Sequence, residues 1–150
     1  MGKLLTKSKY LIGLQCSKWL WIALNDKKRI PEPDKFAKQR FEVGDVIGEL
    51  AKKFYPEGID LSNLEFKENL ERTKEALEKR KPIFEAGIMV DNLFSRADVL
   101  VPVGDDEWDV IEVKSSTSVK DINIQDVSFQ KYTYEKSGLK IRKCFLMHIN

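Results

Sequence analysis

Two acidic side chains and one amine, Asp98, Glu112 and Lys114, stand at a spacing that could build a cation site. Side chains alternate across a β-strand, so Glu112 and Lys114 share one face while Asp109, Ile111 and Val113 point to the other. A loop at Gly104, Asp105 and Asp106 precedes this strand. A hairpin centred on residue 105 puts Asp98 opposite Glu112, with Cβ atoms about 4.5–5.5 Å apart. Carboxylates so close repel and are costly to keep ionised unless a cation neutralises them. Oxygen donors with no soft ligand suit Mg²⁺ or Mn²⁺ better than zinc. Such an ion can polarise a phosphodiester and lower the pKa of water, while Lys114 orients or deprotonates that water or stabilises charge on the phosphorus oxygens. The plain alternative is a surface ion pair between Glu112 and Lys114, worth under about 1 kcal/mol. Against it, Val110, Ile111 and Val113 mark a central, buried strand, where unpaired charge is expensive.

The elements that must position these residues follow from periodicity and punctuation. Thr6 and Ser8 are candidate N-caps for a helix through Leu14, and Ser17 starts another through Leu24; together residues 1–33 read as a helical brace. Pro31 and Pro33 mark a loop. Asp34 then caps a longer helix carrying Phe36, Val43, Ile47, Leu50 and Phe54 at helical steps, and its Gly44 and Gly48 offer a small-residue face for packing on a sheet. Pro56 and Gly58 end it. From Leu61 to Lys81, Leu64, Leu70, Thr73 and Leu77 form one narrow apolar stripe on a solvated helix. Ile83 to Val90, Leu93 to Val103 and Trp108 to Val113 read as three strands in a meander. Asp121 or Asn123 can cap a further helix, with Asp126 three residues beyond Asn123, and Gly138 closes it before a fourth strand over Lys140 to Ile149. The order predicts an α/β fold. A central mixed sheet of about four strands is flanked by helices, and residues 34–150 form the αβββαβ core of one domain.

Arg96-Ala97-Asp98, a variable hairpin and then Ile111-Glu112-Val113-Lys114 resemble motifs II and III of the PD-(D/E)XK nuclease superfamily. Gln130-Lys131-Tyr132-Thr133-Tyr134 resembles the Gln-x-x-x-Tyr motif of its RecB-like branch, which includes the CRISPR-adaptation exonucleases. Three motifs in order are fairly specific. Cys16, the Gly44 helix, Glu85 and the final strand also fall in family order, as in an uncharacterised prokaryotic group whose nuclease-like region opens a longer polypeptide. The resemblance implies a restriction-endonuclease-like core and a metal-dependent nuclease acting on DNA, as an exonuclease, with RNA left open. It assigns Asp98 and Glu112 as metal ligands, the Val113 carbonyl as a further ligand and Lys114 as the catalytic cation. Gln130 and Tyr134, four residues apart on one helix face, would contact the substrate strand together with Lys120 and Lys131. Relatives often carry a metal-binding His in a Gly-x-x-x-His arrangement, where this chain has Gly44 and Gly48. Glu49 is the replacement ligand expected here and Asp45 the runner-up. Glu85 either reaches the metal pocket or pairs with Arg96. The iron-sulfur relatives need three cysteines downstream of the core, and no such trio is present before Asn150, so no cluster is expected. Cys16 is then a buried apolar residue and His148 a structural or exposed one.

Composition sets the outer bounds. The chain has 150 residues, 42% hydrophobic and 10% aromatic, enough to bury a core. Its 26 basic and 24 acidic residues leave +2, so any nucleic-acid footprint must be local. Two distant cysteines suggest reduced thiols in the cytoplasm. No signal peptide or membrane span is legible. The ending just after a strand suggests a further domain in the same polypeptide. Two other functions stay open: a catalytically inactive nuclease-fold module that binds nucleic acid or a protein partner, and a structural α/β domain with Glu112 and Lys114 as a mere ion pair.

Overall fold

Thr6 stands in extended backbone and its hydroxyl accepts the Lys9 amide at 3.3 Å, which starts a helix where the sequence places one. In this computed structural model, which describes residues 3–150, the chain runs β1 (Leu5–Thr6), α1 (Lys7–Gln15), α2 (Ser17–Asn25), a 3-10 turn (Lys27–Arg29), α3 (Lys35–Lys52), β2 (Ile59–Asp60), α4 (Phe66–Glu78), β3 (Ile83–Val90), β4 (Leu93–Val103), β5 (Glu107–Lys114), α5 (Asp121–Lys136) and β6 (Lys140–His148). The expected helices and the four long strands are present. The additions are β1, parallel to Leu93–Phe94 of β4, and β2, parallel to Ile83–Phe84 of β3. A two-residue strand has no periodicity, so the sequence carries no signal for either.

The strands form one mixed sheet of order β2-β3-β4-β5-β6, with β1 attached to β4. β3, β4 and β5 are an antiparallel meander; β6 returns parallel to β5 after the α5 crossover that such pairing requires. Ile83, Ala86, Leu100, Trp108 and Val110 pack with Ala76 of α4 and Tyr134 of α5. Phe84, Val99 and Ile111 form a smaller cluster with Tyr55, Val101, Val113 and Met147. Ile83 and Ala86 share a cluster although three positions apart, because Glu85 between them has φ 57° and breaks the strand alternation. No described helix is long and apolar enough to cross a membrane.

Four expectations about the helices need correction. The apolar stripe of α3 does not seal against the sheet: Phe36 and Phe54 are each 72% exposed and only Ala51 is buried. Gly44 and Gly48 are not packing contacts either, since a Cβ at either position would meet nothing within 4 Å. On α4 Thr73 is buried and Leu77 packs against the core as the stripe implies, but the other fully buried residues are Asn69 and Ala76, so a second polar side chain lies beside the expected stripe. The cap of α5 is also shifted. Lys120 is the N-cap residue and Asn123 Oδ1 reaches back to its amide at 2.9 Å. Gly138 closes the same helix at φ 99°. Just past α4, Arg80 donates to the carbonyls of Val103, Gly104 and Glu107 at 3.0–3.1 Å and lies 4.5 Å from the Trp108 ring centre, which clamps the β4–β5 turn.

Candidate functional site

The β4–β5 ladder pairs Val103 with Glu107 through Val99 with Ile111, the register of a hairpin centred on residue 105. In β3–β4, Phe84 faces Val99 and Ala86 faces Ala97. One step along both ladders therefore brings Glu85, Asp98 and Glu112 level on three neighbouring strands. The backbone pairing opens at this level, and the Val113 amide donates instead to Asp98 Oδ2 at 2.6 Å. A cavity of about 460 Å³ lies here. From the sheet it is lined by Glu85, Asp98, Glu112 and Val113, and from α3 by Gly44, Asp45, Gly48 and Glu49. The two glycines leave room where any larger side chain would project.

Glu85 lines this cavity on a left-handed backbone that costs a non-glycine residue on the order of 1–3 kcal/mol. Two side chains of α4 hold the distortion. Asn69 Nδ2 donates to the carbonyls of Glu85 at 2.9 Å and Leu61 at 3.1 Å, and Thr73 Oγ1 accepts the Gly87 amide at 3.0 Å. A Cβ on Gly87 would come within 2.0 Å of Asn69 Oδ1, so that glycine is required by the close approach. Of the two roles open to Glu85, the cavity is the one seen. Among the described residues it makes no ion pair with Arg96, whose Nε is buried without a partner. Burial pushes the Glu85 carboxyl up, and Arg96 offsets this only in part.

Glu112 is 3% exposed and carries two donor contacts on each oxygen. Lys7 Nζ reaches Oε1 at 3.0 Å and Oε2 at 2.9 Å, Lys114 Nζ reaches Oε1 at 2.7 Å, and Gln130 Nε2 reaches Oε2 at 2.7 Å. Asp126, also buried, takes Lys114 at 2.6 Å, Gln130 at 2.9 Å and Lys7 at 3.5 Å. Burial works against charge on Lys7 and Lys114, but the surrounding carboxylates outweigh it and hold both ammoniums above the ordinary lysine value. Burial likewise raises Asp126, yet Lys7, Lys114 and Gln130 bring it below its usual range. At Asp98 the compensation falls short. Burial first, and Glu112 second, push this carboxyl up to about 8, against the pull of Lys7 and the Val113 amide.

The residues singled out from sequence divide accordingly. Asp98, Glu112, Val113, Glu49 and Asp45 meet around one cavity. Lys114 touches Glu112 but does not line the cavity. Gln130 and Tyr134 do not face solvent, where a substrate contact was expected: both are 0% exposed. Gln130 bridges Glu112 and Asp126, while the Tyr134 hydroxyl donates to the Ala86 carbonyl and accepts the Ala97 amide at 3.0 Å. Lys120 is exposed and Lys131 lies 3.7 Å from Glu135; neither lines the cavity. His148 is exposed, with Nδ1 against the Ile149 carbonyl. Cys16, expected to be buried, is exposed and caps α2, its Sγ accepting the Trp19 amide at 3.4 Å. Lys7, Asp126 and Asn69 were not anticipated. For Asp126 a signal exists, since residues 126, 130 and 134 form a polar stripe at four-residue steps between apolar Val127 and Phe129.

The donors around the cavity are carboxylate and carbonyl oxygens, which fit a hard divalent cation rather than a soft one. Among the described residues no group of three His, Cys, Asp or Glu side chains is already drawn together to hold a metal ion. Binding would therefore require side chains on the cavity wall to converge. No protein family, curated protein or solved structure matches this chain in the comparisons.

Proposed function

We propose that this chain is a metal-dependent nuclease domain of the PD-(D/E)XK type, hydrolysing phosphodiester bonds of DNA with Mg²⁺ or Mn²⁺. The observation that carries the reading is the row of Glu85, Asp98 and Glu112 at one level of the sheet, opening on a cavity walled by Glu49 and Asp45. Asp98, half-buried beside Glu112, is held above its usual range by burial and by that neighbour, an imbalance that a divalent cation would relieve, although Glu49 is now paired with Lys52 at 2.6 Å. Asp98, Glu112, the Val113 carbonyl and Glu49 would hold the ion. When bound, it would polarise the phosphodiester and lower the pKa of a nearby water. Lys114 is held protonated between Glu112 and Asp126, so what it offers is a positive charge rather than a proton acceptor, and it would stabilise phosphate oxygens by turning from these partners toward the cavity. The scaffold behind Glu112, formed by Gln130 and Asp126, fixes where the charge sits.

End-labelled single- and double-stranded DNA incubated with Mg²⁺ or Mn²⁺ tests the reading. The chain releases label from the ends, Glu112→Ala abolishes release, and Lys114→Ala lowers it on the order of 10²- to 10³-fold. Full cleavage by either variant rules out the assigned roles. A second reading, a nuclease-fold module that binds nucleic acid or a protein without cutting, is favoured by one observation: every oxygen position on Glu112 is already taken. Saturable Mn²⁺ binding lost in Asp98→Asn supports the enzyme, and no binding at millimolar Mn²⁺ supports the module.

A further inference from the structure

An ionised carboxylate offers about four lone-pair positions, and the four contacts on Glu112 fill them. A cation entering from the cavity must take a place that one of three donors now holds. Gln130 is wholly buried and is fixed by Asp126 as well. Lys114 lies two residues along the same strand and keeps a second, 2.6 Å bond to Asp126. Lys7 differs from both. It reaches in from the first position of α1, a segment held by the two-residue β1 pairing with β4 and by the Tyr10 ring stacked 4.9 Å from Phe129. It spans both Glu112 oxygens, and its contact with Asp126, at 3.5 Å, is the long one.

We propose that Lys7 is a built-in counter-cation occupying the metal's place on Glu112, and that a divalent ion binds by displacing its ammonium toward Asp126. The inference rests on the reading of this cavity as a metal centre and adds how the centre is regulated. In the metal-free chain the ammonium neutralises the buried carboxylate. When the ion arrives, like-charge repulsion drives the ammonium off, and Asp126 is already within reach to receive it. The N-terminal segment thereby reports on metal occupancy, and only the fraction of molecules with Lys7 withdrawn is competent to bind.

Mn²⁺ titration followed by electron paramagnetic resonance of the free ion provides the test. Lys7→Met keeps the side-chain length and removes the charge, and it should bind Mn²⁺ on the order of tenfold more tightly than the parent chain, as expected when a competing state is removed. Lys18→Met, which removes the same charge from an exposed position on α2, should leave affinity unchanged. Equal or weaker binding by Lys7→Met, with the parent chain still binding, overturns the displacement and leaves the metal centre standing. Absence of binding in both chains overturns the metal centre and the displacement with it. Should Lys7→Met fail to fold, amine labelling of the parent chain read by mass spectrometry decides: saturating Mg²⁺ should speed labelling of Lys7, and an unchanged or slower rate refutes the proposal.

Discussion

Asp98 is a carboxyl group held against its own charge. Its folded-state pKa of about 8 stands above its ordinary value of 3.8 because burial and Glu112 favour the protonated form. The folded metal-free chain therefore binds a proton that the unfolded chain has released across this window. Stability from this group is complete below about pH 4 and is lost as pH climbs toward 8. Asp98→Asn removes the titration while its amide oxygen can still accept the Val113 N–H. Chemical denaturation of metal-free protein should show the variant gaining on the parent chain from pH 4 to pH 8; a constant difference contradicts it. Asp98 and Glu112 were legible because a hairpin imposes mirror symmetry on its register, so two residue numbers and a turn are enough. Lys7 was not. Its meeting with Glu112, 105 positions along the chain, depends on tertiary docking of α1, which no local spacing encodes.

The elements show the same contrast between what periodicity dictates and what packing decides. Helix α3 begins at Asp34, whose Oδ1 accepts the Ala37 amide at 2.7 Å, and the sequence signal for that cap is direct. Its apolar period was also legible, but not that the stripe would remain largely uncovered. Hydrophobic spacing says which face is apolar and nothing about whether a surface is there to meet it. Gly44 and Gly48 illustrate the difference, since the same two residues that suggest close packing instead bound an open space. Gly48→Ala should raise stability by about 0.5–1 kcal/mol, because the helix gains propensity and the new methyl meets no neighbour. Gly48→Leu should keep the fold but obstruct the cavity, lowering Mn²⁺ binding and cleavage together; retention of both would show that the cavity is not the site. Helix α5 carries a complementary test. Tyr134→Phe leaves the buried Ala97 amide and Ala86 carbonyl without their shared partner, a loss of about 1–3 kcal/mol. Urea denaturation would register it, whereas a substrate-facing tyrosine would alter binding with little change in stability.

At the scale of the molecule, the sheet carries charge where most sheets carry apolar side chains, and its stability depends on how that charge is balanced. A divalent ion that binds only the folded chain adds stability by mass action, about 2.7 kcal/mol at a hundredfold excess over its Kd. The Tm should rise with Mg²⁺, return with a chelator, and fail to rise in Asp98→Asn; a rise that survives that substitution would place the ion elsewhere. The fold class was legible because the meander and the return strand each have their own pattern, and the small β1 and β2 pairings were not because they exist only by contact with β4 and β3. One contact links the far end of the hairpin to all of this. Shifting two antiparallel strands by one residue turns every side chain over, so such a slip would send Asp98 and Glu112 to opposite sides. Arg80, grasping both arms of the turn roughly 15–20 Å away along the strands, acts as a stop against that slip. Damage at this remote position would therefore surface as misalignment of the carboxylates, an error in indexing rather than in chemistry.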